Sequence, residues 1–230
     1  MSKLELDMNT IMASTVHDVK NALSLIDDQI RDVMQEVAQV SPEGAAYLNR
    51  IRLETGRINN DLVHMLGLYR MHQNTFHPSF DDVPVEEVVQ DASSRYTESL
   101  TALGIELNIQ MDDPDCVWYM DPALIESVLA NILTNCIRYT RDRVDVFVSE
   151  RDGGLSIRVV DNGDGYPEKL LNFMGTEEEQ GSVNFQTGST GLGLFFCHQI
   201  AGLHRNGDRQ GTIQLTNDPK GGASFELWLP

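Results

Sequence analysis

The chain has 230 residues, 35 acidic against 17 basic, with a formal charge of −18 at pH 7. So acidic a balance argues against DNA, RNA or an anionic membrane as the main partner, and an anionic ligand would need local help from a metal, a basic side chain or backbone N–H groups. At 41% hydrophobic the chain can build a packed core, which sets it apart from disordered chains and leaves room for one large domain or two small ones.

Three cysteines, Cys116, Cys136 and Cys197, are widely spaced and form no CxxC pair. They suggest neither a disulfide framework nor a zinc site and fit a reducing cytosol. No run approaches the ~20 apolar residues of a membrane span, and the N-terminus lacks the apolar stretch of a signal peptide. The expectation is a soluble, cytoplasmic protein with no direct membrane insertion.

In chain order, the first element is a stripe of Met12, Val16, Val19, Leu23, Ile26, Ile30, Val33, Val37 and Val40, whose steps alternate between four and three residues. With no Pro or Gly inside it, this heptad pattern predicts a supercoiling helix. "SPEG" at 41–44 breaks it, and Leu48, Ile51, Thr55, Ile58, Leu62, Met65 and Tyr69 repeat the spacing. Two such helices joined by a short loop make an antiparallel hairpin. One hairpin buries too little apolar surface to stand alone, so two copies packing as a four-helix homodimer are expected. On pattern alone an ordinary coiled-coil dimerisation module is the favoured reading. His17 lies just off the stripe, among Ala13, Ser14, Lys20, Asn21 and Ser24, and is expected to point into water. An exposed histidine is usually inert; Asp18 beside it and Asn21 one turn later add a carboxylate and an amide.

The segment 72–84 has no periodicity and reads as a linker leading into an edge strand, dividing the chain into 1–72 and 73–230. Beyond it, 85–103 and 122–140 read as helices, the second with Pro122 in its first turn. "IELNIQM" and "CVWYM" read as a strand pair. "DVFVSE" and "LSIRVVD" are strands around the turn Asp152-Gly153-Gly154. Residues 166–190 read as a mobile loop, "GLGLFFCHQIAGLH" as a helix opened by glycines, and "GTIQLTND" and "ASFELWLP" as the strands that close the sheet. The predicted fold is an α-helical hairpin followed by an α+β domain, a mixed sheet with three helices on one face.

The polar residues of this second domain pose a choice. "VVDNGDGYP" at 159–167 is by local rules a hairpin turn, yet a strand ending in Asp161 with Gly163 and Gly165 after it could also floor a nucleotide pocket. The helix 122–140 puts Asn131, Asn135 and Arg138 on one stripe. That is a solvated face in most helices, but an Asn carbonyl also suits Mg²⁺ and an Arg suits phosphate. "GSTGLGL" at 188–194 brings backbone N–H groups to a helix N-terminus, where an anion is favoured, without the spacing of a P-loop or of GxGxxG. His64, His72, His77, His198 and His204 have no partners at metal-ligand spacing and read as structural or surface residues.

The order of these pieces resembles the catalytic region of sensor histidine kinases, part of the wider ATPase superfamily that includes DNA gyrase B, Hsp90 and MutL. "NILTNCIRYT" is similar to that family's N-box, "DNGDGYP" to its first glycine box, "GSTGLGL" to its second, and "HDVKNAL" to the H-box on the first dimerising helix. The likeness runs from about residue 10 to 230 and answers the choice above in favour of a pocket. It implies a dimerisation and phosphoacceptor domain over 1–72 and an ATP-binding catalytic domain over 73–230 with a lid at about 166–190. It implies further that Asp161 accepts the adenine amino group, with Gly163 and Gly165 letting the chain pass close. Tyr139 lines the base, Ser224 binds near Asp161, and Asn135 holds Mg²⁺. Asn131 and Arg138 act at the phosphates, and Thr190, Gly191, Leu192, Gly193 and Leu194 form the second glycine box. The implied reaction is transfer from ATP to His17, with Asp18 orienting the imidazole, then to an aspartate on a response regulator receiver domain. Asn21 is linked to dephosphorylating that regulator.

Departures from the family pattern are Ala22 where a proline is usual, Arg138 for lysine, Ser189 for glycine, an added charge at Asp164, and a lid phenylalanine found only as Phe173 or Phe185. Some ten residues precede the first stripe. Input is therefore expected from a separate sensory protein, unless the chain is a piece of a longer one. Two rival readings are a histidine phosphotransferase with a vestigial ATP domain and a non-catalytic dimeric adaptor.

Overall fold

A computed structural model describes residues 8–73, 75–171, 192–219 and 221–230. The chain separates into two compact units, the first ending at Phe76 and the second running from His77 to Pro230.

Helices α1 (Met8–Val40) and α2 (Pro42–His72) form the first unit and pack on each other. Only Ser41 separates them, so the expected four-residue break shrinks to one residue. The physical reason is that Pro42 and Gly44 both fit the first turn of α2. Proline needs no N–H at that position, and Ser41 caps the turn by accepting from the Gly44 N–H on its Oγ at 3.0 Å. Across the hairpin, Asp27 accepts from Arg52 Nε at 3.0 Å and from Arg31 at 2.8 Å, fixing the antiparallel register. The heptad splits into two rows. Val16 and Ile30 are buried and Leu23 and Val37 half-buried, whereas Val19, Ile26, Val33 and Val40 are exposed. On α2, Thr55 is buried and Leu48, Leu62 and Tyr69 half-buried, while Ile51, Ile58 and Met65 are exposed. One row closes the hairpin; the other leaves an apolar face on each helix.

The second unit begins with β1 (Asp81–Pro84), which runs straight into α3 (Val85–Ala102). Next come β2 (Glu106–Met111), β3 (Val117–Met120), α4 (Pro122–Tyr139), β4 (Arg143–Arg151) and β5 (Gly154–Asp161). The short α5 (Glu168–Leu171) precedes the undescribed stretch 172–191, and α6 (Leu192–Leu203) follows it. A small hairpin of β6 (Arg205–Asn206) and β7 (Arg209–Gln210) leads to β8 (Thr212–Asn217) and β9 (Ala223–Leu229). The main sheet has the order β2-β4-β5-β9-β8, with β2 parallel to β4 and the other pairs antiparallel.

Two expectations need correction. β2 and β3 are not partners: β3 pairs with β1 in a separate two-stranded sheet. The tight turn between β4 and β5 is Asp152-Gly153, both at positive φ (55° and 66°), and Gly154 already belongs to β5. That geometry is the twist-matched hairpin turn.

The buried face of the sheet is built from Val144, Val146 and Val148, from Leu155, Ile157 and Val159, and from Ala223, Phe225, Leu227 and Leu229. α4 contributes Ile125, Val128, Leu129, Ile132 and Leu133 to this core. Its N-terminus is anchored by Asp121, whose carboxylate accepts from Leu124 N (3.1 Å) and Ser79 N (2.6 Å). Buried His204, just past α6, accepts from Asp121 N–H on Nε2 at 3.3 Å and donates from Nδ1 to Ile200 O at 2.9 Å. That pair of bonds defines the neutral imidazole, and burial lowers its pKa accordingly. His204 thereby joins the end of α6 to the start of α4. Further along, α4 and α6 touch where a Cβ on Gly193 would lie 2.2 Å from Asn131 Oδ1.

Two expected outcomes follow. Burial lowers the pKa of His64 on α2 from 6.5 to about 4. A folded value below the unfolded one means the unfolded chain binds the proton more tightly. The contribution is therefore complete above about pH 6.5 and is lost as pH falls towards about 4. His64→Leu should flatten the decline of unfolding free energy over that window, measured by denaturant titration; parallel curves would contradict it. Gly193→Ala should cost about 1–3 kcal/mol through overpacking. In an Asn131→Ala background the cost should shrink, and an equal cost in both backgrounds would show that the two residues do not meet.

Candidate functional site

The strongest convergence in the second unit is at the end of β5. Asp161 accepts two backbone hydrogen bonds on Oδ1, from Gly163 N at 2.7 Å and from Ala223 N at 3.3 Å. Both land on one oxygen, so Oδ2 has no hydrogen bond among the described residues. The backbone crowds in around this carboxylate. A Cβ on Gly163 would lie 2.2 Å from Tyr139 O, and one on Gly222 would lie 2.1 Å from Asp161 O. The end of α4, the end of β5 and the start of β9 are thus pressed together, which only glycines permit.

Two asparagines hold the rims. Asn162 turns its Oδ1 onto Thr140 Oγ1 (3.0 Å) and the N–H groups of Arg141, Asp142 and Arg143 (3.2–3.3 Å), and donates to Asp142 at 2.6 Å. It clamps the α4–β4 loop to the glycine turn. Asn217 on β8 grips Tyr166 twice, accepting from its N–H at 2.7 Å and donating to its O at 2.8 Å, where the chain turns through Gly165 at φ 85°. The charge of Asp164 in this turn is met by Arg141 at 3.1 Å. Neither clamp was foreseen from sequence. Asn162 stood in view beside Asp161, but nothing local marks Asn217.

The expected residues fare differently. Asn135 is half-buried on α4 and Arg138 is exposed, its guanidinium 5.4 Å from the centre of the exposed Tyr139 ring. Asn131 is buried, and its Nδ2 donates to Cys197 Sγ at 3.3 Å. With Gly193 over its Oδ1, this amide is committed to the α4–α6 contact rather than open to a phosphate. Leu192 and Gly193 are half-buried and Leu194 is buried at the start of α6. Thr190 and Gly191 lie outside the described residues, as do Ser189, Phe173, Phe185 and the lid from 172 onward.

Ser224 requires correction. It pairs with Val160 and shares the outer face of the sheet with Arg158 and Glu226, and Asp161 points to the other face. The neighbour of Asp161 on β9 is Ala223, through its backbone N–H. Deep in the unit, burial and the Asp161 carboxylate push the Cys136 thiol up, and burial pushes the Cys197 thiol up to about 12. Tyr166 is raised by burial and then by the neighbouring Cys136, Asp161 and Cys197. Of these neutral groups, Cys136 and Tyr166 lie close enough to feel the Asp161 charge.

In the first unit, His17 stands out in solvent, its side chain 70% exposed, with Asp18 at 75%. Asp18 Oδ1 lies 3.5 Å from Nδ1, and Asn21 Nδ2 lies 3.2 Å from the same nitrogen. Nε2 takes no contact from a described residue. Among the described residues no cluster of His, Cys, Asp or Glu could hold a metal by itself, and no helix is long and apolar enough to cross a membrane.

Comparison with known proteins fits this arrangement. Residues 120–230 match the family described as histidine kinase-, DNA gyrase B-, and HSP90-like ATPase. Over the full chain, the sequence is 27% identical to the sensor protein KdpD of Escherichia coli, covering 25% of that protein. It is 24% identical to the sensor-like histidine kinase SenX3 of Mycolicibacterium smegmatis, again over the full chain and covering 59% of that protein. The chain thus spans between a quarter and three fifths of these two relatives. Among solved structures, full-length ShkA in complex with AMPPNP superposes with a TM-score of 0.66 at 18% identity, over 97% of this chain and 46% of that one. The catalytic domain of histidine kinase ThkA gives 0.54 at 21% identity, over 66% of this chain and 95% of that one. These structural likenesses establish the fold, a helical part followed by a mixed sheet with helices. The matched ATPase domain and the related sensors support a sensor histidine kinase with a GHKL-type ATP-binding domain at 120–230.

Proposed function

We propose that this chain is an ATP-dependent protein-histidine kinase that phosphorylates its own His17 and passes the phosphoryl group to an aspartate of a response regulator receiver domain. The observation that carries the reading is the environment of His17: an exposed imidazole whose two polar neighbours both meet Nδ1, leaving Nε2 to a substrate. In the step, the Nε2 lone pair attacks the γ-phosphorus, the bond to the β,γ-bridging oxygen breaks, and ADP leaves. Asp18 takes the hydrogen bond from Nδ1–H and steadies the positive charge that grows on the ring. Such a reaction needs in-line placement and charge neutralisation more than covalent help.

In the ATP-binding domain, Asp161 would read the adenine amino group through Oδ2, the oxygen its backbone partners leave unbonded. Arg138 would meet phosphate, and Tyr139 would sit against the base. The residues present suit Mg²⁺ brought by the triphosphate: the Asn135 carbonyl is a hard oxygen donor on a half-buried helix face, and phosphates and water complete such a shell. The ion would neutralise phosphate charge. The receiver aspartate then attacks phosphorus and the N–P bond breaks. Asn21, one turn from His17, would place a water for the reverse duty of dephosphorylating the regulator. A cytoplasmic location completes the proposal. The outward rows Val19, Ile26, Val33 and Val40 on α1 and Ile51, Ile58 and Met65 on α2 support a homodimer, in which two hairpins bury these faces as a four-helix bundle.

With γ-labelled ATP and Mg²⁺, wild type should gain acid-labile, alkali-stable label. His17→Ala should take none while still binding ATP. Asp161→Ala should lose ATP binding by more than tenfold in calorimetry, and Ser224→Ala should stay within about twofold of wild type. An equal loss in both variants would overturn the placement of the base. Light scattering should show a dimer that Ile26→Lys with Ile58→Lys converts to monomer; a monomeric wild type would contradict the bundle.

A further inference from the structure

The geometry points to Asn21 as a positioning residue that holds His17 in the tautomer unable to accept a phosphoryl group. This rests on the reading of His17 as the phosphoacceptor, and it concerns the unphosphorylated histidine rather than the regulator.

A neutral imidazole carries one proton on one of two nitrogens. Asn21 Nδ2, at 3.2 Å from Nδ1, donates only when Nδ1 offers a lone pair, which puts the proton on Nε2. Asp18 Oδ1, at 3.5 Å from the same atom, accepts only when Nδ1 carries the proton, which bares the Nε2 lone pair. The two contacts exclude each other. One neighbour arms the nucleophile and the other disarms it, and the disarming amide makes the shorter contact. Phosphoryl transfer thus begins with the proton leaving Nε2 for solvent and another arriving at Nδ1, where Asp18 receives its hydrogen bond. The imidazole then rotates its allegiance from amide to carboxylate. Any input that tilts α1 by a fraction of an ångström, or draws the Asn21 amide onto another acceptor, changes the fraction of armed histidine without moving the backbone far. All three side chains are exposed, so the contact is free to serve as a restraint.

The test uses the whole chain with ¹⁵N-labelled histidine, at a pH well above the ordinary imidazole range. The two ring-nitrogen shifts of His17, assigned by their loss in His17→Gln, report the tautomer ratio directly. Asn21→Ala removes the donor, and Asn21→Asp keeps the size but can only accept. Both should move the ratio towards Nδ1–H and raise the initial rate of label uptake from ATP by about two- to fivefold, the worth of one exposed hydrogen bond. Asp18→Ala should move the ratio the other way and slow uptake. An unmoved ratio in Asn21→Ala overturns the inference whatever the rate does. A ratio that moves without a faster rate overturns the restraint. If no variant and no wild type takes label although the ratio moves, the phosphoacceptor reading has failed, and the restraint fails with it.

Discussion

Much of the second unit hangs on one carboxylate oxygen. Asp161 Oδ1 draws in the N–H of Gly163 from its own turn and the N–H of Ala223 from a strand 62 residues away. A carboxylate that accepts backbone hydrogen bonds binds them more strongly than a neutral acceptor would. The consequence is geometric. With one oxygen tied to the fold, the other is held in a fixed place, an acceptor set for a donor of matching geometry. Gly163 and Gly222 are there because the chain passes too close to Tyr139 and Asp161 for any side chain. Asn162 and Asn217 then tie the two rims of the turn to α4 and β8.

The two units divide the chemistry by environment. Around Asp161, the buried Cys136 thiol and the Tyr166 phenol are pushed away from ionisation by the lack of water and by the carboxylate itself. Such surroundings favour recognition by hydrogen bonds. Around His17 there is only solvent, one acid and one amide. On the proposal above, a group that takes phosphate from ATP and gives it to a receiver domain has to stand clear of its own fold, and its immediate helical neighbours are the groups placed to tune its protons.

The parts most legible in the sequence were those set by short-range periodicity or by order. The three-and-four spacing of α1 and α2 located both helices, and even the split into buried and exposed rows is implicit in a heptad. The run from the N-box helix through Asp161 to the Gly-Leu-Gly-Leu helix was legible because several weak motifs came in sequence. What escaped was pairing. Alternation tells which face of a strand is buried but not its neighbour, so β2 and β3, adjacent in the chain, were paired with each other instead of with β4 and β1. Ser224 failed for a related reason. A slip of one residue along a strand reverses the face, and the group that meets Asp161 is the backbone of Ala223, which leaves no trace in a side-chain pattern. Asn131 looked like a ligand because a polar residue on an apolar helix invites that reading; its partner, Cys197, sits 66 residues away.

The most direct test of this picture is to compare, by calorimetry on the whole chain, the binding of ATP with that of a purine riboside triphosphate lacking only the 6-amino group. If Asp161 reads that group through Oδ2, the deleted analogue should bind at least tenfold more weakly, since it leaves a part-buried carboxylate oxygen without its donor. In Asp161→Ala the two ligands should bind alike. Equal binding by the wild-type chain would contradict the assignment of this carboxylate to the base and, with it, the reading of the site.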